Sequence, residues 1–586
     1  MNFIKRVLST VIGIFVFCCL FFGLILLIGV LFGSSSKDKI VVKNNSVLEL
    51  KLDFPIKDYA AQTNFKDLEF LNQNKKNGLF DLIYAIDYAA TDNKIKGISI
   101  DNNFIMAGMA QTKALRDALL KFKTSGKFIV SYGDVYSQKD YYLNSVADTI
   151  FINPVGIMEF KGLYTERLYY KDFQEKSGIK MEVVRLGKYK SAVEPYLENE
   201  MSANNREQIS AYLNGIWTEV KKEISVSRTI AADKLNSIAD NLESRTPELA
   251  VSSGLVDKIA YHDEYLNGIK NALGLPYKNE INTIEIEDYA NYAAKKKPFL
   301  AKNKIAVIYT EGQIFYGDGD ETYVGQGAVN KSLEKARNDS KIKAIVLRVN
   351  SPGGSSLASE LIWREIELTK KVKPVIVSMG DVAASGGYYI ACNANKIFAE
   401  PTTITGSIGV FGALPNVKGL ADKWGINAEQ VVTNNNAVTY SIFEPMDNNQ
   451  RAFIKESINS IYDLFTTRVA QGRGMTKDNV HNIAQGRVWT GTDAVANGLV
   501  DELGGLDQAL AYAAELTKLE DYKTVQYPIF EKDLDKMLQD FGFIQSKEEL
   551  IKEELGVANY KILQDIKTMT KQKGIQLMFP FATEIK

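Results

Sequence analysis

Ser385 lies in "MGDVAASGGYYIACNA", residues 379–394, among small residues and two glycines. A hydroxyl held this tightly at the entry to a helix can attack a carbonyl, provided a base takes its proton and N–H groups receive the developing oxyanion. The same serine can equally be a small residue at a crowded helix–strand contact. Gly353 and Gly354 of "NSPGG" offer backbone N–H groups with no side chain in the way, and Gly386 follows the serine at the helix start. A histidine base is disfavoured, because the chain has only His262 and His481 and both read as surface residues. The remaining candidates are Lys188 and Lys190 in "VVRLGKYKSAVEPY". A lysine in a loop is ordinarily a solvated charge.

The elements around these residues occur twice. "DNKIKGISID" from Asp92 matches "DSKIKAIVLR" from Asp339, "GKFIVSYGDV" from Gly126 matches "KPVIVSMGDV" from Lys373, and "FINPVGI" from Phe151 matches "FAEPTTI" from Phe398. Each pair is offset by 247 residues (339 − 92, 373 − 126, 398 − 151). "SGLVDKI" from Ser253 is echoed by "NGLVDEL" from Asn497. This is a duplicated domain rather than a short-period solenoid. Within a copy, short β-branched apolar runs such as "KIAVIYTEG" and "PVIVSMG" alternate with helical patterns such as "AVNKSLEKARND" and "SSLASELIWREIELTKK", with Ser355 or Ser356 as cap. Strand–helix alternation predicts an α/β fold with a mostly parallel sheet, and sites collect beyond the carboxyl ends of its strands. "NSPGG" and "GDVAASGG" both fall at such ends. The boundaries expected are 45–290 and 304–520 for the two repeats, 291–303 for the linker, and 521–586 for a helical tail with an apolar end.

The repeat also weighs the two readings of Ser385. Its counterpart in the first copy is Gln138, and the glycines of "SPGG" fall on Met106 and Ala107. A purely structural small residue would not be exchanged for glutamine in the same frame. Aligning Glu194 with Glu444 places Tyr440 opposite Lys190 and Val438 opposite Lys188. One copy keeps a lysine without the serine and the other keeps the serine without the lysine. Such complementary loss points to a site shared between the halves.

Composition sets outer limits. A net charge of −1 gives no basic surface for nucleic acid, and two histidines with three cysteines make a His- or Cys-based metal site improbable. Cys18 and Cys19 fall in an apolar run, which leaves Cys392 without a soluble partner for a disulfide. Residues 1–36 carry Lys5 and Arg6 and then an uncharged stretch from about Val7 to Gly33, longer than the roughly 20 residues that cross a bilayer. They are expected to form an uncleaved anchor with a cytoplasmic N-terminus, although "GSSS" leaves cleavage open.

The anchor, the duplication, "NSPGG", "GDVAASGGYYIA" and "GKYKSAVEP" together resemble the signal peptide peptidase A family of the long, protease IV type. The resemblance covers about residues 45–515. It implies tandem Clp/crotonase-like domains and a Ser/Lys dyad without cofactor, in which Ser385 is the nucleophile and Lys190 of "YKSA" the general base. Gly353, Gly354 and Gly386 would line the oxyanion hole, and Ser191 would orient the lysine. Lys188 falls outside the pattern. The resemblance also implies a homotetramer on the outer, periplasmic face of the bacterial cytoplasmic membrane, degrading remnant signal peptides and other apolar peptides. Two alternatives stand beside it: a crotonase-like acyl-CoA enzyme, and an inactive membrane-tethered scaffold.

Overall fold

The structure, a computed structural model, describes residues 10, 12–21, 23–24, 40–60, 77–102, 104–296, 301–320, 322–530 and 576–578. The apolar runs read as strands form two separate parallel sheets. In the first half the strands lie in the order Lys258–Ile259, Thr149–Met158, Phe128–Tyr136, Ile95–Asp101, Ser46–Leu50 and Asn282–Glu285, and every neighbouring pair is parallel. The second half repeats this with Ile404–Gly406, Val375–Ala384, Ile342–Ser351, Lys304–Glu311 and Lys523–Tyr527. Lys396–Ala399 and Glu502–Leu503 extend it beside Val375–Ala384, and Val488–Thr490 closes one edge antiparallel. Central strands such as Ile342–Ser351 are nearly all buried, because helices cover a parallel sheet on both faces.

Local chemistry accounts for the helices next to the site. Ser355 caps helix Ser356–Lys370 by accepting from Ala358 N. Each half also carries a 26-residue helix, Ala203–Arg228 and Asn448–Arg473, and each of these ends on a left-handed residue, Thr229 and Gly474.

A third sheet joins the halves. Lys180–Leu186 of the first repeat pairs antiparallel with Val410–Asn416 of the second through seven residue pairs, from Val410↔Leu186 to Asn416↔Lys180. Elsewhere the seam is partly apolar, where Ala384, Ile404 and Val488 join the first half's core, and partly polar. Arg348 is buried and donates to both oxygens of Asp58, with Nε 2.9 Å from Oδ2, while Asp381 Oδ1 accepts from Ala110 N and Gln111 N at the start of helix Met109–Lys123. Such an ion pair fixes register more than it adds stability. Arg348 lies on the strand that leads into "NSPGG", so the seam also holds that turn.

Three expectations about segments change. Lys523–Tyr527 is a strand of the second sheet rather than the start of a helical tail, because its edge completes the ladder of Lys304–Glu311. Residues 576–578 are also a strand, and the tail between residues 531 and 575 lies outside the described residues. Helix Ile286–Ala294 crosses the linker boundary set at residue 290. Of the anchor expected over residues 1–36, residues 10, 12–21 and 23–24 are helical and the rest lies outside the described residues. No helix among the described residues is long and apolar enough to cross a membrane.

Candidate active site

Ser385 ends strand Val375–Ala384 and caps helix Gly386–Ala391. Its backbone has φ 56° and ψ −114°, a conformation an L-residue adopts only when its surroundings impose it. Two hydrogen bonds impose it here: Ser385 N donates to Gly406 O and Tyr389 N donates to Ser385 O, both at 2.8 Å. The two following glycines are required by close approach. A Cβ on Gly386 would stand 2.7 Å from Ser359 Oγ and 3.1 Å from Gly354 N, and one on Gly387 would stand 2.5 Å from Ser351 O. The "SPGG" turn and the serine turn therefore touch. Gly353 N donates to Ser351 Oγ at 3.2 Å, which occupies one of the three N–H groups expected at an oxyanion hole.

Lys190 comes from the other half. It is 0% exposed, as is Ser385, and its Nζ lies 2.9 Å from Ser385 Oγ. The amine also contacts Ser407 O and Ser407 Oγ, each at 3.0 Å. Burial holds the Lys190 amine well below the usual lysine range, and no carboxylate opposes that shift. A neutral amine has two N–H groups and one lone pair. Donating both to Ser407 leaves the lone pair for the Ser385 hydroxyl proton.

The lysine loop is threaded against second-half glycines. A Cβ on Gly486 would stand 2.6 Å from Lys190 N, and one on Gly409 would stand 3.2 Å from Lys190 Cδ. Tyr189 N donates to Gln485 O at 3.0 Å. Gln208, fully buried, donates through Nε2 to Tyr189 O at 3.0 Å and to Ser191 Oγ at 2.9 Å. Ser191 thus braces Gln208, and the contact with the amine expected of it is made by Ser407. Ser407 was legible in principle: 407 − 247 is Phe160, so this position too is polar only in the second copy. Gln208 carries no such signal.

The residues left out of the site behave accordingly. Lys188 is exposed, with its Nζ 4.9 Å from the centre of the Tyr189 ring. His262 and His481 are exposed, beside Asp101 and Tyr462 respectively. Tyr440, opposite Lys190 in the repeat, bonds Pro415 O, and burial pushes its phenol up to about 12. No cluster of His, Cys, Asp or Glu among the described residues is arranged to hold a metal ion.

A buried serine hydroxyl against a buried lysine amine, one from each repeat, sets the frame for comparison with known proteins. The model of "Peptidase family S49" matches twice, over residues 121–275 and 367–520. This chain belongs to peptidase family S49. Each match falls within one repeat, so an S49 domain occurs once in each half. This S49 peptidase is 36% identical to Protease 4 of Haemophilus influenzae over 86% of this chain and 85% of that one. It is 38% identical to Protease 4 of Salmonella typhi over 77% of this chain and 74% of that one. The chloroplastic serine protease SPPA of Arabidopsis thaliana is 35% identical over 73% of this chain and 64% of its own. Among solved structures, a ClpP1 mutant of Listeria monocytogenes covers 35% of this chain at 16% identity, with a TM-score of 0.25 too low to argue from. The relatives make this S49 protein a serine-type peptidase of the protease IV, signal peptide peptidase A type.

Proposed function

We propose that this protein is a membrane-anchored endopeptidase that cleaves apolar peptides, remnant signal peptides among them, with a Ser385–Lys190 dyad. The observation that carries the reading is the 2.9 Å contact between two fully buried groups, one from each repeat, with the amine held neutral by burial. Ser385 Oγ attacks the scissile carbonyl carbon while its proton passes to Lys190 Nζ. The oxyanion is received by the N–H groups of Gly354 and Gly386, with Gly353 shaping the turn. Collapse breaks the C–N bond, and the Lys190 ammonium returns the proton to the departing amine. Water then attacks the Ser385 ester and gives a proton to Lys190; collapse breaks the acyl C–O bond, and Lys190 returns that proton to Ser385 Oγ as the acid departs. No cofactor enters these steps.

The apolar run of residues 7–33 supports a single membrane anchor, with the repeats on the periplasmic face of the bacterial inner membrane. The relatives named Protease 4 support a substrate of peptide class. Each repeat is read as a Clp/crotonase-like domain, and the assembly as a homotetramer. A fluorophosphonate probe tests the chemistry. Label recovered on Ser385 in the wild type and lost in Lys190→Met is the expected result; label elsewhere, or undiminished without the lysine, would end the dyad reading.

A further inference from the structure

The seam between the repeats encloses a cavity of ≈ 230 Å³, and neither Ser385 nor Lys190 lines it. Its walls come from both halves. Helices Leu79–Thr91 and Met109–Lys123 belong to the first, and strands Lys304–Glu311 and Ile342–Ser351 with the start of helix Leu506–Leu516 belong to the second. The lining has two chemistries. Phe80, Ile83 and Leu506 make it apolar on one count. On the other, once the Asp58–Arg348 pair is set aside, four carboxyls line it against one cation: Asp87, Asp117, Glu400 and Asp507 against Lys121.

The cations present leave these acids short of partners. Lys121 Nζ donates to Asp87 Oδ2 at 2.8 Å, and Asp87 Oδ1 stays buried with no hydrogen-bond partner among the described residues. Lys113 Nζ holds Asp117 Oδ2 at 2.6 Å and Glu223 Oε1 at 3.3 Å but stands 3.8 Å from Glu400 Oε2, beyond hydrogen-bond range. Glu400 is 5% exposed, and burial pushes its carboxyl up to about 7. Lys113 and Arg348 face it and oppose that rise, while Asp117 and Glu223 add to it. Tyr309 is 4% exposed and stacks on Tyr59, yet its hydroxyl has no hydrogen-bond partner among the described residues. A buried hydroxyl left unpaired in a cavity wall marks a place for a polar guest. Arg348 faces both Glu400 and Tyr309, which puts the two buried groups toward one end, whereas Asp87 faces the exposed Asp507 toward the other.

We propose that this cavity binds a linear aliphatic diamine, with one ammonium held at Glu400 and Tyr309, the other at Asp87 and Asp507, and the methylenes against Phe80, Ile83 and Leu506. An ammonium brings donors only, which suits two carboxylates and an unpaired phenol oxygen. A metal ion uses less of the lining: no three His, Cys, Asp or Glu side chains among the described residues are arranged to hold one, and the apolar wall supplies no ligand. A diamine bound here ties the two repeats together. The site stands apart from the dyad and does not depend on it.

The test titrates the full chain calorimetrically with putrescine and with spermidine. Expected are a Kd below about 1 mM, binding of butylamine weaker by tenfold or more (about 1.4 kcal/mol) because it lacks the second charge, and a Tm that climbs with diamine concentration. Affinity should tighten on the order of tenfold from about pH 6 to about pH 8, since the diamine competes with the proton that Glu400 binds near 7. Glu400→Gln should lose that pH dependence. Asp507→Asn, a change at an exposed position, should weaken binding about threefold. No binding of either diamine overturns the proposal. Butylamine or Mg²⁺ alone binding as tightly as putrescine overturns the diamine class, and binding unchanged in both variants places the amine elsewhere. If Glu400→Gln does not fold, the pH dependence of the wild type and the loss in Asp507→Asn decide: a flat profile with undiminished binding overturns the site.

Discussion

Ser385 and Gln138 occupy one position in two copies of one frame, and their surroundings differ in kind. Gln138 begins a helix capped by Ser137, and its Oε1 accepts from Lys161 N at 3.1 Å and Gly162 N at 3.0 Å. A side chain thus satisfies two backbone donors in the first half, and no lysine amine is among its hydrogen-bond partners. In the second half a shorter side chain leaves room for the Lys190 amine, which arrives from the first half along strand Lys180–Leu186. The same asymmetry recurs at the next contact, where Ser407 stands for Phe160. On the proposed reading, duplication let each half keep only part of the site, and the third sheet and the Arg348–Asp58 ion pair hold the two parts in register. The Ser385–Lys190 contact takes one group from each half.

The largest way to break this comparison is to remove either partner. Ser385→Ala and Lys190→Met should each lower kcat/KM for a peptide substrate by at least ~10³-fold, and the double variant should be scarcely worse than either, because the two groups act as a unit. Peptide hydrolysis with purified variants checks this. Additive losses would mean that the halves contribute independently.

Gly486→Ala tests the fit between the halves without touching either reacting group. The new Cβ would lie 2.6 Å from Lys190 N, and the backbone there has φ +81°. A shift of the lysine by about 1 Å should cost on the order of 10²-fold in kcat. Full activity would show that the lysine is not held by this contact.

Ser407→Ala should have a milder effect, on the order of tenfold in kcat, with a telling change in pH profile. Activity should rise with pH through the depressed Lys190 pKa, since the ammonium cannot accept a proton. Ser407 Oγ stabilises the ammonium more than the amine. Its loss should therefore move the acid limb to lower pH, and a limb displaced upward would reverse the role given to this hydroxyl.

How much of this was legible in the sequence depends on whether the signal was local. Helix Ser356–Lys370 and its Ser355 cap, and the strands Ile342–Ser351 and Val375–Ala384, announce themselves through periodicity and turn residues. The pairing of Ser385 with Lys190 showed as complementary loss between the two copies. The third sheet did not show: Lys180–Leu186 alternates irregularly between exposed and buried, and its partner lies more than 200 residues away. Strand Lys523–Tyr527 was missed because its residues are mostly half-buried at a sheet edge and lack an apolar run. The φ of Ser385 and the grip of Gln208 arise only from tertiary contacts, which no single-chain pattern encodes.

A smaller expected effect concerns stability. Lys190 is folded as a neutral amine with its pKa far below the unfolded value near ~10.4. Between those two values the unfolded state binds the extra proton, so burying the lysine costs stability, most fully at and below the folded pKa, and the cost fades as pH rises to the unfolded one. Lys190→Met should therefore raise Tm at neutral pH by a few degrees, about 2–4 °C for each kcal/mol in a large domain. Calorimetry as a function of pH checks the sign. A Tm gap that widens toward alkaline pH would contradict a neutral buried amine.

The smallest effect should belong to the neighbouring lysine, and it sharpens the comparison most cheaply. Lys188 is two residues from Lys190 on the same loop, yet its side chain is exposed and rests on the face of Tyr189. An exposed cation–π contact contributes about 0.5–1 kcal/mol and orders nothing that the ring's other partners do not already order. Those partners are in place: Tyr189 OH lies 3.0 Å from Glu207 Oε2 and 3.2 Å from Arg487 Nη1, and the Arg487 guanidinium lies 4.9 Å from the ring centre. Lys188→Met should therefore keep kcat and KM within about twofold of wild type and leave the acid limb where it was. The pH profile is the deciding measurement, because a mere loss of packing would lower activity evenly across pH. If Lys188→Met moves the acid limb or abolishes labelling of Ser385, the titrating amine is Lys188 in solution, and the pairing of the two halves through Lys190 is the wrong one.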